Sequence, residues 1–207
     1  MKKPKFVTGE EAAAMIKDDS TIATIGMTLV SASETILKAI EKRFLETGSP
    51  NHLTLVHSCG QSDRDRGIQH FSHEEMLYRI IGGHWGLQPR MMKLISENKI
   101  LAYCIPQGQF AQLYRSMAGG EPGKITKVGL GTFIDPRIDG GKMNAITKNA
   151  PDIVDVVTID GEEYMRYKPI PLDYCIIRGT YVDEMGNLTT DEEAMQLEVF
   201  SAVMACK

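Results

Sequence analysis

The sequence predicts an α/β fold with three layers, in which a mostly parallel sheet carries helices on both faces. Two observations lead to this fold class. Short apolar runs rich in β-branched residues alternate along the chain with segments of helical periodicity. The first strand, helix and strand of this series follow one another within residues 21–56. That spacing is typical of a βαβ unit, whose two strands run parallel.

The first βαβ unit is predicted from two apolar runs and a helical segment between them. Residues 21–26 are an apolar run that ends at a glycine, and residues 53–56 are a second such run, so each predicts a buried strand. Between them, Ser33 and Glu34 are expected to open a helix that stops at Gly48. The apolar positions that recur at helical spacing within it are Ile36, Leu37, Ile40, Phe44 and Leu45.

The alternation continues through the rest of the chain. Residues 91–97 predict a helix and residues 99–105 a strand, which Pro106 closes. Residues 111–117 predict another helix. Residues 153–159 alternate like a strand or the first arm of a hairpin, and residues 173–179 predict a further buried strand.

The C-terminal part predicts a tight turn over residues 181–188 and then a last helix capped by Asp191. One face of this helix is expected to be apolar, through Ala194, Leu197, Phe200 and Val203. Since the helical pattern runs into Cys206 and Lys207 without a stop signal, residues 1–207 are expected to be one N-terminal domain that is truncated within its last helix.

Composition bounds the class of protein. The chain has 207 residues, 43% of them hydrophobic, and a formal net charge of −4. We expect no membrane-spanning segment, no secretory signal after the basic N-terminus and no nucleic-acid partner. The four cysteines lack CxxC spacing, so we expect no metal site and no disulfide framework, but reduced thiols in a cytoplasmic protein.

Glycines gather at the predicted junctions between strands and helices, the place where α/β sheets bind their ligands. No GxGxxG or GxxxxGK[ST] motif is present, so neither a dinucleotide site nor a P-loop is expected. These features favour a small-molecule site built from glycine-rich loops, although each glycine could also serve turn geometry alone.

Three side chains near these junctions are candidates for chemistry. Gln107 follows a predicted strand and could bind a polar ligand through its amide, or satisfy loop backbone. His84, beside the only tryptophan, could act as an acid–base group or be a packed loop residue. Cys59 could be a nucleophile only with an activating partner, which the sequence does not identify.

The segment over residues 119–137 predicts a long loop with little room for a helix. We expect it to be ordered, because it contains apolar side chains that need burial: Val128, Leu130, Phe133 and Ile134.

Several of these motifs resemble the family I coenzyme A transferases, most of all the single-chain acetate/propionate type with broad short-chain acyl specificity. The resemblance covers nearly the whole chain, and its most specific part runs from Pro106 to Asn144. The matching stretches are Pro106-Gln107-Gly108, residues 115–123, residues 127–137, Gly140-Gly141-Lys142-Met143-Asn144, residues 82–89 and residues 183–188.

The resemblance implies an enzyme that exchanges coenzyme A between an acyl-CoA and a free carboxylate, with its active site between two α/β domains or subunits. A glutamate attacks the thioester and carries coenzyme A as a glutamyl thioester. That glutamate belongs to the second domain of the family, and no glutamate here matches its motif. The resemblance therefore implies no catalytic residue in this chain, which alone should be inactive.

What the first domain contributes, by the same resemblance, is a substrate-binding surface. Gln107 matches the family's Pro-Gln-Gly glutamine, placed to hydrogen-bond the substrate or the glutamyl intermediate. Ser58 stands where succinyl/acetoacetate members carry asparagine, and the loop Gly26-Met27-Thr28 stands where many members of the family carry Gly-Gly-Phe. The residues expected on this surface are Gln107, Ser58, Gly26, Met27, Gly83 and His84.

The partners implied are acyl-CoA and short-chain carboxylates as substrates, a second CoA-transferase domain or subunit, and further copies in a homo-oligomer. No permanently bound cofactor is implied. Two other hypotheses stay open: a non-catalytic subunit or scaffold of a related acyl-transfer or decarboxylase complex, and a sugar-phosphate isomerase of similar topology. The transferase motifs favour the CoA-transferase over the isomerase, and the non-catalytic subunit or scaffold stays the alternative.

Overall fold

The computed structural model describes residues 4–206, so the expected unit over residues 1–207 is described without its ends, residues 1–3 and 207. Its strands are β1 (Thr21–Thr24), β2 (Leu53–His57), β3 (Leu77–Gly82), β4 (Leu101–Cys104), β5 (Lys124–Thr126), β6 (Val154–Ile159), β7 (Glu162–Tyr167) and β8 (Tyr174–Ile176). Its α-helices are α1 (Gly9–Ala14), α2 (Glu34–Thr47), α3 (Pro89–Ser96), α4 (Gln107–Ala118), α5 (Ala145–Lys148) and α6 (Val199–Ala205), and residues Gly67–Phe71 form a 3₁₀ helix.

A five-stranded parallel sheet lies at the centre, in the order β4-β3-β2-β1-β8. Helices α1, α2 and α3 pack on one face, and α4 and α6 pack on the other. A smaller antiparallel sheet, in the order β5-β7-β6, adds to the second face. The prediction of a three-layer α/β fold is therefore confirmed.

The apolar strand runs explain the two cores. Successive side chains of a strand point to opposite faces, so an uninterrupted apolar run fills both. Ile22 and Leu55 belong to the core under α2, whereas their neighbours Ala23 and Val56 belong to the core under α4. All four side chains are fully buried, which fixes the register of the central strands.

Helix α2 confirms the first βαβ unit in detail. It begins at Glu34 and ends with Gly48 in the left-handed region, at φ 72°, where the Gly48 N–H donates to the Phe44 carbonyl over 2.7 Å. A residue without Cβ adopts this conformation without strain, so the glycine stop was readable from the sequence.

Other elements were missed or differ in extent. The sequence did not predict β3, because Tyr78 and Arg79 interrupt its apolar residues. Strand β6 is the first arm of a hairpin, and β7 is its second. Helix α4 begins at Gln107, four residues before the predicted start at residue 111, and β8 is shorter than predicted.

The loop over residues 119–137 holds the short strand β5 but no helix. The expected burial of its apolar residues is only partly met, since Ile134 is buried whereas Val128 and Phe133 are 48% and 45% exposed. Order comes instead from Asp135, whose carboxylate accepts from the Arg137 guanidinium at 2.8 Å and from the Gly131 N–H at 3.0 Å. Polar contacts organise this loop together with the burial of Ile134.

The prediction of a last helix capped by Asp191 is wrong. Helix α6 spans only Val199–Ala205, with Glu198 at its N-cap position. Tertiary contacts hold the preceding segment outside a helix, because Glu193 pairs with Arg178 at 3.0 Å and Ser31 donates to the Met195 carbonyl at 3.1 Å.

The predicted apolar face of that helix is wrong as well. Phe200 and Val203 point into solvent, while Val199 and Ala202 are buried against the sheet side of the molecule. Ala194 and Leu197 precede the helix. The burial pattern is therefore rotated relative to the prediction, because α6 is short and starts at Val199.

Candidate functional site

Four neighbouring strands of the central sheet end in one row. Thr24 of β1 pairs with His57 of β2, His57 with Gly82 of β3, and Gly82 with Cys104 of β4. The loops that follow these residues thus leave the sheet side by side at its carboxyl edge, where α/β sheets bind ligands. The six candidate binding residues all lie in these loops or begin α4: Gly26, Met27, Ser58, Gly83, His84 and Gln107.

Gly83 lies where three of these segments meet. A Cβ atom on Gly83 would fall 2.4 Å from the Ser58 carbonyl oxygen and 3.4 Å from the Gln107 Cα atom. Only a residue without a side chain fits such a close approach. Gly83 therefore brings the β2 loop and the start of α4 together, and the three predicted residues form one patch.

Gln107 is the first residue of α4, and its side chain is exposed at the edge. Its Nε2 donates to the Cys59 Sγ atom, a weak acceptor. Among residues 4–206, its carbonyl oxygen accepts no hydrogen bond and its amide bonds to no loop backbone. The alternative that Gln107 merely satisfies backbone groups therefore finds no support, and the amide is open to a ligand.

The β1 and β2 loops are tied to each other. Gly26 is buried where a Cβ atom would lie 3.1 Å from the Val30 carbonyl oxygen, and Met27 and Val30 exchange backbone hydrogen bonds at 3.0 and 2.9 Å. The Thr28 N–H donates to the Gly60 carbonyl at 2.9 Å. Gly26 and half-buried Met27 therefore form a fixed wall beside Ser58.

His84 is exposed, and its ring lies between Gly60 and Gly86. A Cβ atom on Gly60 would come within 2.8 Å of His84 Nδ1, so the glycines leave space for the ring. His84 does not bond the neighbouring Trp85. The indole N–H of Trp85 instead donates to His57 Nε2 at 3.1 Å.

His57 is the tryptophan's partner, a role that sequence reasoning missed. It is fully buried, and its Nδ1 donates to the Cys59 carbonyl at 2.7 Å. Burial lowers the pKa of His57 to about 4, so the ring is neutral near pH 7. A neutral ring with both nitrogens bonded holds the β2 loop in place.

The activating partner that a Cys59 nucleophile would need is not provided by His57, which faces the Cys59 carbonyl rather than its sulfur. Burial raises the pKa of the Cys59 thiol, and the negative charge of Glu198 raises it further. A thiol in this environment stays protonated at neutral pH and is a poor nucleophile. The cysteine hypothesis therefore loses its physical basis.

Gln61 is another residue at the edge that the sequence did not single out. Its buried side chain donates from Nε2 to the Thr24 carbonyl at 2.7 Å and so bridges the ends of β1 and β2. Among residues 4–206, no Asp or Glu side chain bonds to Gln107, Ser58 or His84. The edge thus offers an amide and backbone groups, and the carboxylate of Glu198 acts on it through its charge on Cys59.

A family comparison decides what this edge belongs to. Residues 6–205 match the family model described as "Coenzyme A transferase". The chain belongs to the coenzyme A transferase family. The resemblance drawn from the Pro106–Asn144 motifs is thereby confirmed.

Individual CoA-transferases align with almost all of this chain. It is 40% identical over 204 residues to the caffeate CoA-transferase of Acetobacterium woodii, and 36% identical over 201 residues to the acetate CoA-transferase YdiF of Escherichia coli K12. These alignments cover 98% and 96% of this chain. The chain spans 38% of the length of each of these two relatives.

A solved CoA-transferase has the same fold. The crystal structure of the YdiF acyl-CoA transferase from Escherichia coli O157:H7, in a thioester complex with CoA, superposes with a TM-score of 0.90 at 34% identity. The match covers 99% of this chain and 41% of that one. Within residues 4–206, no helix of this CoA-transferase unit is long and apolar enough to cross a membrane. The same residues contain no cluster of histidine, cysteine, aspartate or glutamate side chains that could hold a metal ion.

Proposed function

We propose that this chain is the N-terminal unit of a short-chain acyl-CoA:carboxylate CoA-transferase of the acetate/propionate type. The observation that carries the proposal is the open Gln107 amide, seated beside Gly83 and Ser58 at the ligand-binding edge of a CoA-transferase fold. The 36% identity to an acetate CoA-transferase supports the substrate class.

In the proposed reaction, a glutamate carboxylate of a second unit attacks the thioester carbon of acyl-CoA, and the C–S bond breaks to release the CoA thiolate. The thiolate then attacks the glutamyl carbonyl of the acyl–glutamyl anhydride. This step expels the first carboxylate and leaves a glutamyl-CoA thioester. A second carboxylate reverses both steps and departs as the new acyl-CoA.

This chain's part is to bind the substrate and to stabilise the negative charge that develops on it. Each addition step places negative charge on a carbonyl oxygen, and an amide N–H donor aimed at that oxygen lowers the barrier. Gln107 supplies such a donor, since its only acceptor among the described residues is a weak thiol. Gly26, Met27, Ser58, Gly83 and His84 would line the surface, with Ser58 contributing through its backbone because its side chain is buried.

The proposal extends to the rest of the enzyme. The second unit supplies the nucleophile, further copies form a homo-oligomer, and the enzyme works in the cytoplasm. Within residues 4–206 the cysteines form no disulfide, which is consistent with that compartment.

A chimera tests the activity. In it, this chain replaces the part of Escherichia coli YdiF that it matches, and transfer of CoA from propionyl-CoA to acetate is followed beside transfer to caffeate. We expect the chimera to favour acetate and the isolated chain to be inactive with both. Turnover by the isolated chain at the rate of an intact enzyme would place the nucleophile within these 207 residues. A folded chimera inactive with every substrate would contradict the proposed activity.

A further inference from the structure

Two loops of the candidate site meet at Glu34. These are the β1 loop, residues 25–33, and the β2 loop, residues 58–66. Glu34 is the first residue of α2, so its backbone ends the β1 loop. Its side chain crosses to the end of the β2 loop, where Oε2 accepts from the Gly67 N–H at 2.9 Å. One residue therefore anchors both loops, the first through its backbone and the second through its carboxylate.

The Glu34 carboxylate is itself held in place by His70. Its Oε1 lies 2.9 Å from Nε2 of the His70 ring, and Nδ1 of the same ring lies 2.5 Å from Glu41. The His70 side chain is 11% exposed, and hydrogen bonds are stronger where water is largely excluded. Both oxygens of Glu34 are thus engaged, so its side chain has a fixed position from which it reaches Gly67.

Gly67 closes the β2 loop. Its φ of 71° lies in the left-handed region, and a Cβ atom there would overlap the Gln61 carbonyl oxygen. The next N–H, that of Ile68, donates to the same carbonyl at 2.8 Å. Because the chain folds back onto Gln61 at this point, a shift of Gly67 also shifts Gln61, whose Nε2 bonds the Thr24 carbonyl.

The β1 and β2 loops are therefore bonded to each other at three levels. The bonds run from the strand ends to α2: Gln61 to Thr24, Thr28 to Gly60 and Glu34 to Gly67. The β1 loop contains Met27, and the β2 loop contains Ser58 and Cys59, whose sulfur accepts from the Gln107 amide. The register of the two loops thus decides how the Gln107 amide and the wall beside it lie relative to each other.

We infer that Glu34 is a positioning residue for CoA transfer, an inference that rests on the proposed function. An amide donor stabilises an oxyanion only at the correct distance, and a displacement of about 1 Å caused far from the reacting atoms can lower the rate about 100-fold. Glu34 acts through the β1 and β2 loops and not on the substrate itself. Glu41 binds the same His70 ring, but among residues 4–206 its side chain bonds neither loop.

Steady-state kinetics of the chimera with YdiF test this role. Glu34→Ala should lower kcat for CoA transfer from propionyl-CoA to acetate by about 10- to 100-fold. Glu34→Gln should recover most of the kcat, because an amide oxygen still accepts from the Gly67 N–H. Glu41→Gln is the matched control and should leave kcat nearly unchanged. Equal losses from Glu34→Ala and Glu41→Gln, or no recovery with Glu34→Gln, would overturn the inference.

Hydrogen exchange of the 207-residue chain tests the loop contacts without the chimera. Amides of residues 26–32 and 58–67 should exchange faster in Glu34→Ala but not in Glu41→Gln, while the strand amides of β2 and β3 stay protected and show that the fold is kept. Unchanged exchange in Glu34→Ala would also overturn the inference. An inactive chimera without substitutions would contradict the proposed function, whereas an active chimera that tolerates Glu34→Ala would contradict the role of Glu34 alone.

Discussion

The histidine–glutamate cluster beside α2 and the patch around Gln107 are two polar regions of this molecule, and their polar groups are satisfied in opposite ways. In the cluster, made of Glu34, Glu41, His70 and His73, His70 Nδ1 lies 2.5 Å from Glu41 and Nε2 lies 2.9 Å from Glu34. His73 Nε2 adds a 2.7 Å contact to Glu41. Each of these three ring nitrogens therefore has a carboxylate partner.

The Gln107 patch has no such partners. The amide is exposed and, among the residues that the structure describes, donates only to a thiol, and the close approach at Gly83 involves backbone. The cluster holds structure, because Glu34 also accepts from the Gly67 N–H at 2.9 Å and so fixes the segment that follows the β2 loop. A closed polar network therefore stabilises the fold, whereas an open polar group is available to a ligand.

Removal of the open amide is the most direct test of the difference between the two regions. Gln107→Ala in the chimera should lower kcat by about 100-fold, the effect of losing one donor to a developing oxyanion. The stability of the isolated chain should hardly change, because the Gln107 side chain is exposed. Steady-state kinetics and urea unfolding measure the two effects, with Gln112→Ala on the same helix as control. An unchanged kcat would make Gln107 a structural amide.

Acid should destabilise the fold through His57. Its pKa is lowered by burial from 6.5 to about 4, so the unfolded chain binds the proton more readily between these values. Stability should therefore fall as pH drops from 6.5 to 4, by about 3 kcal/mol from this residue.

Urea unfolding at several pH values measures this loss. His57→Asn should be less stable at pH 7 but show a shallower fall toward pH 4. His52→Asn serves as control, because His52 is exposed and stacks on Tyr78. Equal slopes for the wild type and His57→Asn would show that His57 does not titrate in this way.

Removing a carboxylate from the closed network should destabilise the fold by less than the acid effect at His57. Burial raises the pKa of Glu41, but the hydrogen bonds from His73 and His70 together lower it below its ordinary value, so the carboxylate is charged in the network. Glu41→Gln should lower the free energy of unfolding by about 2 kcal/mol, because it removes the charged acceptor of His73 Nε2 and of His70 Nδ1, while Glu34 still binds His70 Nε2.

The matched control is Glu74→Gln, whose exposed pair with Lys99 at 3.1 Å should contribute less than about 0.5 kcal/mol. Urea unfolding compares the two variants at pH 7. If both changed stability equally, the cluster would hold no more structure than a surface ion pair.

The smallest expected effect separates Gly83 of the patch from Gly108 of α4. Gly83→Ala would place its Cβ 2.4 Å from the Ser58 carbonyl and should cost about 1.5 kcal/mol through overpacking. Gly108→Ala meets nothing within 4 Å and, in a helix, should stabilise by about 0.5 kcal/mol. Thermal unfolding of the isolated chain measures both, and a neutral Gly83→Ala would mean that the Gly83 contact can relax.

Much of the fold was predictable, because it rests on local patterns. The apolar runs at Ile22–Ala23 and Leu55–Val56 and the glycine stop at Gly48 required no tertiary information. Strand β3 and helix α6 were not predictable in the same way. Tyr78 and Arg79 break the apolar pattern of β3, and the pairing of Glu193 with Arg178 overrides the helical pattern before Val199.

The sequence by itself determined the three-layer α/β class, through the alternation of strands and helices, and the family, through the motifs between Pro106 and Asn144. It also placed Gln107 after a strand. Only the tertiary structure decided that Gln107, Gly83 and Ser58 meet, that His57 and not His84 bonds Trp85, and that Phe200 faces solvent. The physical reason is that periodicity shows which residues share a face of one element, whereas packing between elements decides which side chains touch.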